Sequence, residues 1–278
     1  MSQQSSKLLP PQTAAAPVTI ALIGGLGVMG QWFTRFFEAH GHKVLVADRN
    51  TPLSSQDAAR QADVVIISVP IPQVDAVVRQ VAPHMKPDAA LMDITSVKQS
   101  PMAVMLAAYA GEVVGAHPLF GPGEADIQGR TVVLCPGRGE RWFNWLKILL
   151  EQAGARVKVA SATDHDRFMS VVQGLSHFIL IALGTAISHL GVDPAELEDY
   201  ATPTFSTLHR LTRHLLNQDA QLYACIQMAN PANRIALRAL EDAVADILYF
   251  IQRQNAAGLV KLLEEVSQGF LGRNNPKR

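Results

Sequence analysis

The sequence predicts an α/β fold in which a doubly wound parallel sheet is followed by an all-helical C-terminal domain. Short apolar runs alternate with helical patterns from Val18 to about Ala160, and strand-like runs are absent from the sequence beyond that point. Most of the runs are continuously apolar, which is typical of strands that are buried on both faces. We therefore predict a sheet domain at 18–160 and a helical substrate and dimerisation domain at 161–278.

The predicted elements follow in chain order. The strand candidates are Val18–Ile23, Val44–Ala47, Val64–Val69, Ala90–Asp93, Val113–Ala116, Val132–Leu134 and Arg156–Val159. Between them lie helical patterns at Gln31–Ala39, Ser54–Gln61, Gln73–Val81, Pro101–Tyr109 and Arg141–Gln152. Later helices are expected at Thr163–Leu190, Pro203–Leu216, Ala220–Met228, Ala232–Gln254 and Ala256–Phe270. Long apolar helices with few partners of their own often pack on a second subunit, so we expect a homodimer.

Composition narrows the classes of function. Lys and Arg number 24 and Asp and Glu also number 24, so there is no basic excess for binding nucleic acid. Cys135 and Cys225 have neither metal-ligand spacing nor a disulfide framework, which suits a reducing cytosol. Residues 1–17 are predicted to be a flexible leader without the apolar core of a secretory signal. No run approaches the roughly 18–20 apolar residues that span a bilayer, so we expect a soluble cytoplasmic protein without a bound metal.

A glycine-rich turn joins the first predicted strand to the first predicted helix. It reads Gly25-Leu26-Gly27-Val28-Met29-Gly30 and matches the pattern of dinucleotide-binding folds. The first glycine permits the tight turn, the second admits the pyrophosphate, and the third lets helix and strand pack closely. We therefore predict a sheet of the Rossmann type, with cofactor contacts from Gly25, Leu26, Gly27, Met29 and Gly30.

Two further strand ends extend the predicted cofactor site. Asp48 ends the second strand, where an acid bonds the ribose 2′-hydroxyl and repels a 2′-phosphate, so NAD is favoured over NADP. The adjacent Arg49 would soften that preference. The third strand ends in Ser68, Val69 and Pro70, and ligands of doubly wound sheets bind beyond the carboxyl ends of the strands. We expect this segment to lie near the nicotinamide half of NAD.

Polar groups at the next two strand ends suggest a reacting site. Ala90–Asp93 leads into a segment with Ser96 and Lys98, and Val113–Ala116 leads into His117. A histidine at this edge can act as a general base near neutral pH, and a serine within reach can orient it. Beside a nicotinamide site, we interpret His117 as functional rather than as a packed core histidine.

These motifs together resemble one family. The glycine turn, Ser68-Val69-Pro70, Asp93 with Ser96-Val97-Lys98, and the segment from His117 to Pro122 are similar to prephenate dehydrogenase of tyrosine biosynthesis, above all the enterobacterial type. The resemblance continues through Asp164-His165-Asp166, Val171–Phe178 and Gln218 to Tyr223, and so covers nearly everything from Val18 onward. The enterobacterial enzymes carry a preceding chorismate mutase domain. Here only the short leader stands in its place, so mutase activity is not expected.

The resemblance implies an NAD-dependent oxidative decarboxylation of prephenate to 4-hydroxyphenylpyruvate. In that reaction His117 matches the catalytic histidine and Ser96 the serine that hydrogen-bonds to it. Lys98 and His177 match residues of the substrate site. His177 is also expected to have a partner because an unpaired imidazole among apolar neighbours is costly. Asp164 is interpreted as a helix cap or as a partner of the helix dipole.

One departure from the family concerns the side-chain carboxylate of the substrate. The family has an arginine on a later helix, and ungapped alignment from Pro203 puts His214 at that position. Arg213 precedes it directly and Arg210 lies one turn earlier. Because a guanidinium binds a carboxylate in bidentate fashion, we assign the role to Arg213, with His214 and Arg210 as alternatives.

Other functions stay open at this stage. Arogenate dehydrogenase and a cyclohexadienyl dehydrogenase that accepts both substrates differ only in a side-chain keto or amino group. A β-hydroxyacid dehydrogenase would need a lysine on the long helix, and Val171–Leu190 contains none. A protein that is not an enzyme is a further alternative, namely a redox-sensing regulator that binds NAD without catalysis.

Overall fold

The computed structural model describes residues 17–271, so nearly all of the predicted leader lies outside the described residues. The chain divides into two compact units, of which the first ends at His165 and the second begins at Asp166. The sequence places the domain boundary slightly earlier, near Ser161. The two units are described separately below.

The described part of the first unit is built on a seven-stranded sheet. Its strands are β1 Thr19–Ile23, β2 Lys43–Ala47, β3 Val64–Ile67, β4 Ala90–Asp93, β5 Glu112–Pro118, β6 Thr131–Arg138 and β7 Arg156–Val159. They are arranged in the order β2-β1-β3-β4-β5-β6-β7. The order reverses between β1 and β3, so the sheet is doubly wound and has a topological switch point there. The predicted fold class is confirmed.

One strand corrects the prediction of a fully parallel sheet. β6 runs antiparallel to β5, with His117 opposite Val133, whereas all the other neighbouring strands pair in parallel. The link from Leu119 to Arg130 contains no helix. Parallel neighbours are usually joined by a crossover helix, whereas this irregular link returns the chain in the opposite direction.

Helices cover both faces of the sheet. They are α1 Val28–Ala39, α2 Ser55–Gln61, α3 Val74–Val81, α4 Gln99–Ala108 and α5 Arg141–Gln152. In β1 Ile20 and Leu22 pack on one face with the aromatic side of α1, and Ala21 and Ile23 pack on the other. This alternation with both faces buried explains the continuous apolar runs in the sequence. The predicted start of α4 was late, because the helix already begins at Gln99.

The remaining described residues are helical. The elements are α6 Ala162–Met169, α7 Ser176–Leu190, α8 Pro194–Asp199, α9 Pro203–Leu216, α10 Ala220–Ala229, α11 Asn233–Gln252 and α12 Ala256–Leu271. A π-helical segment, Ser170–Leu175, joins α6 to α7, so the predicted long helix is continuous but locally widened. In the second unit α7 packs on α9, and α11 packs on the π-helical segment. The sequence did not predict α8, which is only six residues long.

The helical stretch Ala162–Leu190 is long and apolar enough to cross a membrane by length and composition, with only 11% of the tested window buried. The expectation that no stretch reaches this length is therefore wrong. Exposed apolar side chains lie on this stretch and on the later helices α11 and α12. They include Phe178, Ile179, Val244, Leu248, Val260 and Leu263. An apolar surface of this extent needs a covering partner or an apolar solvent.

Candidate functional site

The glycine turn has the close packing that its sequence pattern predicts. A Cβ atom on Gly30 would lie 2.5 Å from the carbonyl oxygen of Gly24 and 2.7 Å from the Cα of Gly25. Only glycine therefore lets α1 start so close to the turn. Gly24 itself has φ of +84°, and a Cβ there would meet the carbonyl oxygen of Ser68 at 2.3 Å. The described first turn of α1 contains no acidic residue, so the positive end of the helix dipole is free to face an anion.

The other predicted cofactor residues surround this turn. The Asp48 carboxylate accepts a hydrogen bond from the Leu26 backbone N–H at 3.2 Å and from the Arg49 N–H at 2.7 Å. The Ser68 N–H donates to the Ile23 carbonyl oxygen at 2.8 Å, so the Ser68-Val69-Pro70 segment lies beside the turn. These residues therefore form one continuous surface beyond the ends of β1, β2 and β3. Its glycines leave room for a pyrophosphate, and Asp48 supplies an acceptor for a ribose hydroxyl.

His117 stands near the end of β5, on the same edge of the sheet. The parallel pairing of β1, β3, β4 and β5 brings the carboxyl ends of these strands together. The His117 side chain is 3% exposed, and its Nδ1 lies 2.8 Å from Nε2 of His165. Its other nitrogen, Nε2, makes no hydrogen bond to any residue within 17–271. One side of the imidazole is thus anchored, and the other is left for a reacting group.

The surroundings of His117 favour its neutral form. Burial lowers the pKa of His117 well below the ordinary histidine value of 6.5, and the neighbouring His165 and Lys98 lower it further. A low pKa keeps the imidazole unprotonated at neutral pH. It can then accept a proton, which a general base must do.

Lys98 takes part in a buried ion pair next to His117. Its side chain is fully buried, and its ammonium group pairs with Asp93 and donates to the carbonyl oxygen of Ala116 at 2.8 Å. Asp93 also accepts from the Thr95 backbone N–H at 3.0 Å. This ammonium group is thus held by protein groups in the structure, and the contact between Lys98 and the substrate stays a prediction. The buried ion pair links the β4 end to β5 beside His117.

The predicted hydrogen bond between Ser96 and His117 is absent among the described residues. Ser96 is half-buried at the β4 end, and His117 Nδ1 is bonded to His165 instead. The sequence did not single out His165, although it lies in the Asp164-His165-Asp166 segment that shares the family resemblance. Asp164 closes the start of α6, where the Ser161 hydroxyl accepts from the Asp164 N–H at 3.0 Å and donates to its carboxylate at 2.9 Å. Ser161 is thus the cap, and Asp164 is an acidic partner in the first turn.

His177 is half-buried in the helical unit. It is the second residue of α7, which directly follows the π-helical segment, a type of helix distortion that is frequent at functional sites. Its ring packs edge-on against Tyr223 at 4.8 Å. Its Nδ1 is buried and has no hydrogen-bond partner among the described residues, and burial lowers the pKa of the imidazole. His177 therefore has a buried polar atom that a ligand or a water molecule can pair with.

The candidate carboxylate-binding residues meet on α9. Arg210, Arg213 and His214 line one cavity of about 610 Å³ together with His209 and Glu198. Arg213 is 65% exposed and forms an ion pair with Glu198 at 3.3 Å. Glu198 was not predicted as part of the site because it lies in α8, a helix that the sequence did not predict. The cluster of cations is suited to an organic anion that can displace a surface carboxylate.

Known proteins with similar sequences agree with this architecture. Residues 35–159 match the nucleotide-binding domain of prephenate dehydrogenase, and residues 161–265 match its dimerization domain. The T-protein of Haemophilus influenzae is 32% identical over 251 residues, which is 90% of this chain and 67% of that protein. This chain belongs to the prephenate dehydrogenase family. The matched nucleotide-binding domain begins at residue 35, after the glycine turn. The interpretation of the turn as a phosphate-binding segment therefore depends on its own sequence pattern and geometry rather than on this match.

Two further relatives extend the comparison within the prephenate dehydrogenase family. A probable arogenate/prephenate dehydrogenase of Methanocaldococcus jannaschii is 32% identical over 91% of this chain, and the chain spans 61% of its length. The crystal structure of Aquifex aeolicus prephenate dehydrogenase with hydroxyphenyl propionate and NAD⁺ superposes with a TM-score of 0.76. It is 21% identical and covers 93% of this chain and 99% of its own, so it supports the fold alone. The chain is thus an oxidoreductase of the prephenate/arogenate dehydrogenase family.

Proposed function

We propose that this protein catalyses the NAD-dependent oxidative decarboxylation of prephenate to 4-hydroxyphenylpyruvate in tyrosine biosynthesis. The observation that carries the proposal is the position of His117, which lies on the same sheet edge as the glycine turn. Its Nδ1 is anchored and its Nε2 makes no bond to any described residue. A base with its lone pair directed away from its anchor is what oxidation of a secondary alcohol by hydride loss requires.

The cofactor is proposed to lie on the surface formed by the glycine turn, Asp48 and the Ser68-Val69-Pro70 segment. NAD⁺ supplies the hydride acceptor of the reaction. Gly25, Leu26, Gly27, Met29 and Gly30 leave the backbone open to the pyrophosphate, since side chains at the glycine positions would crowd the turn. Asp48 accepts from the ribose hydroxyls and repels a 2′-phosphate, so we propose NAD rather than NADP.

In the proposed reaction His117 takes the proton of the ring hydroxyl while the same carbon loses a hydride. The bond to the ring carboxylate then breaks, carbon dioxide leaves, and its electron pair makes the ring aromatic. The proton returns from His117 to the phenolic oxygen, so the base is regenerated without net uptake of a proton. Burial of His117 supports this role because it holds the imidazole neutral before the step.

The substrate is proposed to be held by groups of the helical unit. Arg213, with His214 and Arg210 beside it, binds the side-chain carboxylate, since a guanidinium offers two parallel donors to it. His177 supplies a polar contact through its unpaired Nδ1. Ser96 lines the reacting edge and contacts the substrate or a water molecule rather than His117.

We also propose that the protein is a cytoplasmic homodimer. The exposed apolar faces of α7, α11 and α12 lie within the part of the chain that matches the family's dimerization domain. Burial against a second copy would remove this surface from water, as an obligate interface does. Light scattering of purified protein would test the dimer, and a membrane-bound pool after fractionation would contradict the cytoplasmic assignment.

Arogenate is the alternative substrate, because one 32%-identical relative is named as a probable arogenate/prephenate dehydrogenase. The two substrates differ at a side-chain keto or amino group. The deciding experiment measures turnover of prephenate and of arogenate by purified protein with NAD⁺ and with NADP⁺. We expect prephenate with NAD⁺ to give the highest kcat/KM. A clear preference for arogenate would favour the alternative, and the absence of turnover with both would favour an NAD-binding regulator.

A further inference from the structure

The bond between His117 and His165 determines which nitrogen of His117 can act. Each neutral imidazole carries one N–H and one lone pair, and the 2.8 Å contact joins Nδ1 of His117 to Nε2 of His165. One of these two nitrogens must donate and the other accept. If His117 donates, its Nε2 keeps a lone pair and can accept a proton. If His165 donates, Nε2 of His117 carries the hydrogen and cannot act as a base.

Both imidazoles are fixed by the same sheet. His117 lies in β5, opposite Val133 of β6. His165 lies in the first turn of α6, where its backbone N–H donates to the Ser161 carbonyl oxygen at 2.8 Å, and Ala160 just before that turn is bonded to Leu134 of β6. The two rings are 3% and 1% exposed and meet at an interplanar angle of 63°. Water therefore has little access to compete for this contact.

We infer that His165 is a positioning residue that accepts the Nδ1–H of His117 and thereby fixes the tautomer in which His117 Nε2 is the base. The direction of this bond rests on the proposed function, because only a donating Nδ1 leaves Nε2 of His117 able to act as the base. The role corresponds to that of a hydrogen-bond acceptor that orients a catalytic imidazole.

Two charged or titratable groups face His117, each from a different element. His165 approaches from α6 and Lys98 from the segment before α4, and both lower the pKa of His117. Lys98 is paired with Asp93, so its charge is partly neutralised by the β4 end. Loss of the His165 imidazole removes one cause of the lowered pKa of His117, whereas burial and Lys98 continue to lower it. The acid limb of the pH profile of kcat/KM should then move to higher pH.

The test compares His165→Gln with His165→Leu in the full-length protein. The glutamine amide oxygen reaches the position of the lost Nε2 and can accept from His117, whereas leucine fills the space without an acceptor. We expect the glutamine variant to keep kcat within about 3-fold, and the leucine variant to lose up to about 100-fold in kcat, a part of the usual contribution of a general base. KM for prephenate should change little in both. His40→Leu, an exposed histidine at the end of α1, is the matched control.

The tautomer is read directly from the imidazole ¹⁵N shifts of His117, with His117→Asn used for assignment. Wild type should show a protonated Nδ1 and an unprotonated Nε2, and His165→Leu should show a mixture. A protonated Nε2 in wild type would overturn the inference without any His165 variant. Equal kcat in the glutamine and leucine variants would also overturn it. If His117→Asn retains turnover, the proposed function fails, and the ¹⁵N result still decides the role of His165.

Discussion

The two units of this protein hold their polar groups in opposite ways. In the nucleotide-binding unit the groups around the reacting edge are buried and bonded to one another, as Lys98 is to Asp93 and His117 is to His165. In the helical unit the candidate anion-binding groups stand on the exposed surface of α9, where Arg213 is 65% exposed. Burial fixes the geometry before a ligand arrives, whereas an exposed cation is fixed only when the ligand binds. The chemical step should therefore depend on the first unit and substrate affinity on the second.

The largest expected effect concerns the buried ion pair of the nucleotide-binding unit. Lys98→Met leaves the Asp93 carboxylate buried without its ion-pair partner, which should lower the free energy of unfolding by about 3–5 kcal/mol. Urea denaturation of the purified variant measures the change.

The matched control is Lys147→Met, which breaks an exposed ion pair with Glu151 on α5. That change should cost at most about 1 kcal/mol. Equal stability losses in the two variants would contradict the view that the Lys98 pair organises the strand ends.

The next effect concerns the exposed anion-binding candidates on α9 of the helical unit. Arg213→Ala removes the proposed bidentate contact with the substrate carboxylate, so KM for prephenate should rise about 10- to 100-fold with a smaller change in kcat. Steady-state kinetics of Arg213→Ala, Arg210→Ala and His214→Ala measure the share of each residue. If Arg210→Ala or His214→Ala gives a larger rise in KM than Arg213→Ala, that residue is the main contact of the substrate carboxylate.

A smaller change is expected at Asp48. Asp48→Asn keeps an acceptor for the ribose but removes the charge that repels a 2′-phosphate, so the preference for NAD⁺ over NADP⁺ should fall by about 10-fold. Comparison of kcat/KM with the two cofactors measures it. Asp75→Asn, which alters an exposed pair with Arg79 on α3, should leave the preference unchanged.

The sequence predicted the first unit better than the second for a physical reason. Strands buried on both faces produce continuous apolar runs in the sequence. The glycine turn is recognised from the spacing of its glycines, which close packing of the backbone requires. The reversal of β6 depends on a link without helix, and α8 is too short to produce a periodic pattern. The predicted bond between Ser96 and His117 rested on family resemblance, whereas the actual partner His165 lies 48 residues away in the sequence. Such a contact depends on how the chain from Ala160 to His165 folds back to β5, which no local pattern reports.

The pH dependence of stability should be the smallest of these effects. His117 and His177 both have lowered pKa values in the folded protein, chiefly through burial. The unfolded chain therefore binds more protons in acid, so stability is fully present above the ordinary histidine pKa of 6.5 and declines as the pH falls below it. Thermal melts between pH 8 and about pH 5 measure the decline, which His177→Leu should reduce. An unchanged slope in that variant would contradict the proposed burial of a neutral His177.

The most direct test of the account is the rate of NADH formation from prephenate by wild type and by His117→Asn. Absorbance at saturating NAD⁺ measures this rate, and cofactor fluorescence measures NAD binding by the variant. We predict turnover by wild type, a loss of about 10²- to 10⁴-fold in kcat for the variant, and unchanged binding of NAD⁺. Undiminished turnover by the variant, or no turnover of prephenate by wild type, would contradict the assignment of His117 as the base of a prephenate dehydrogenase.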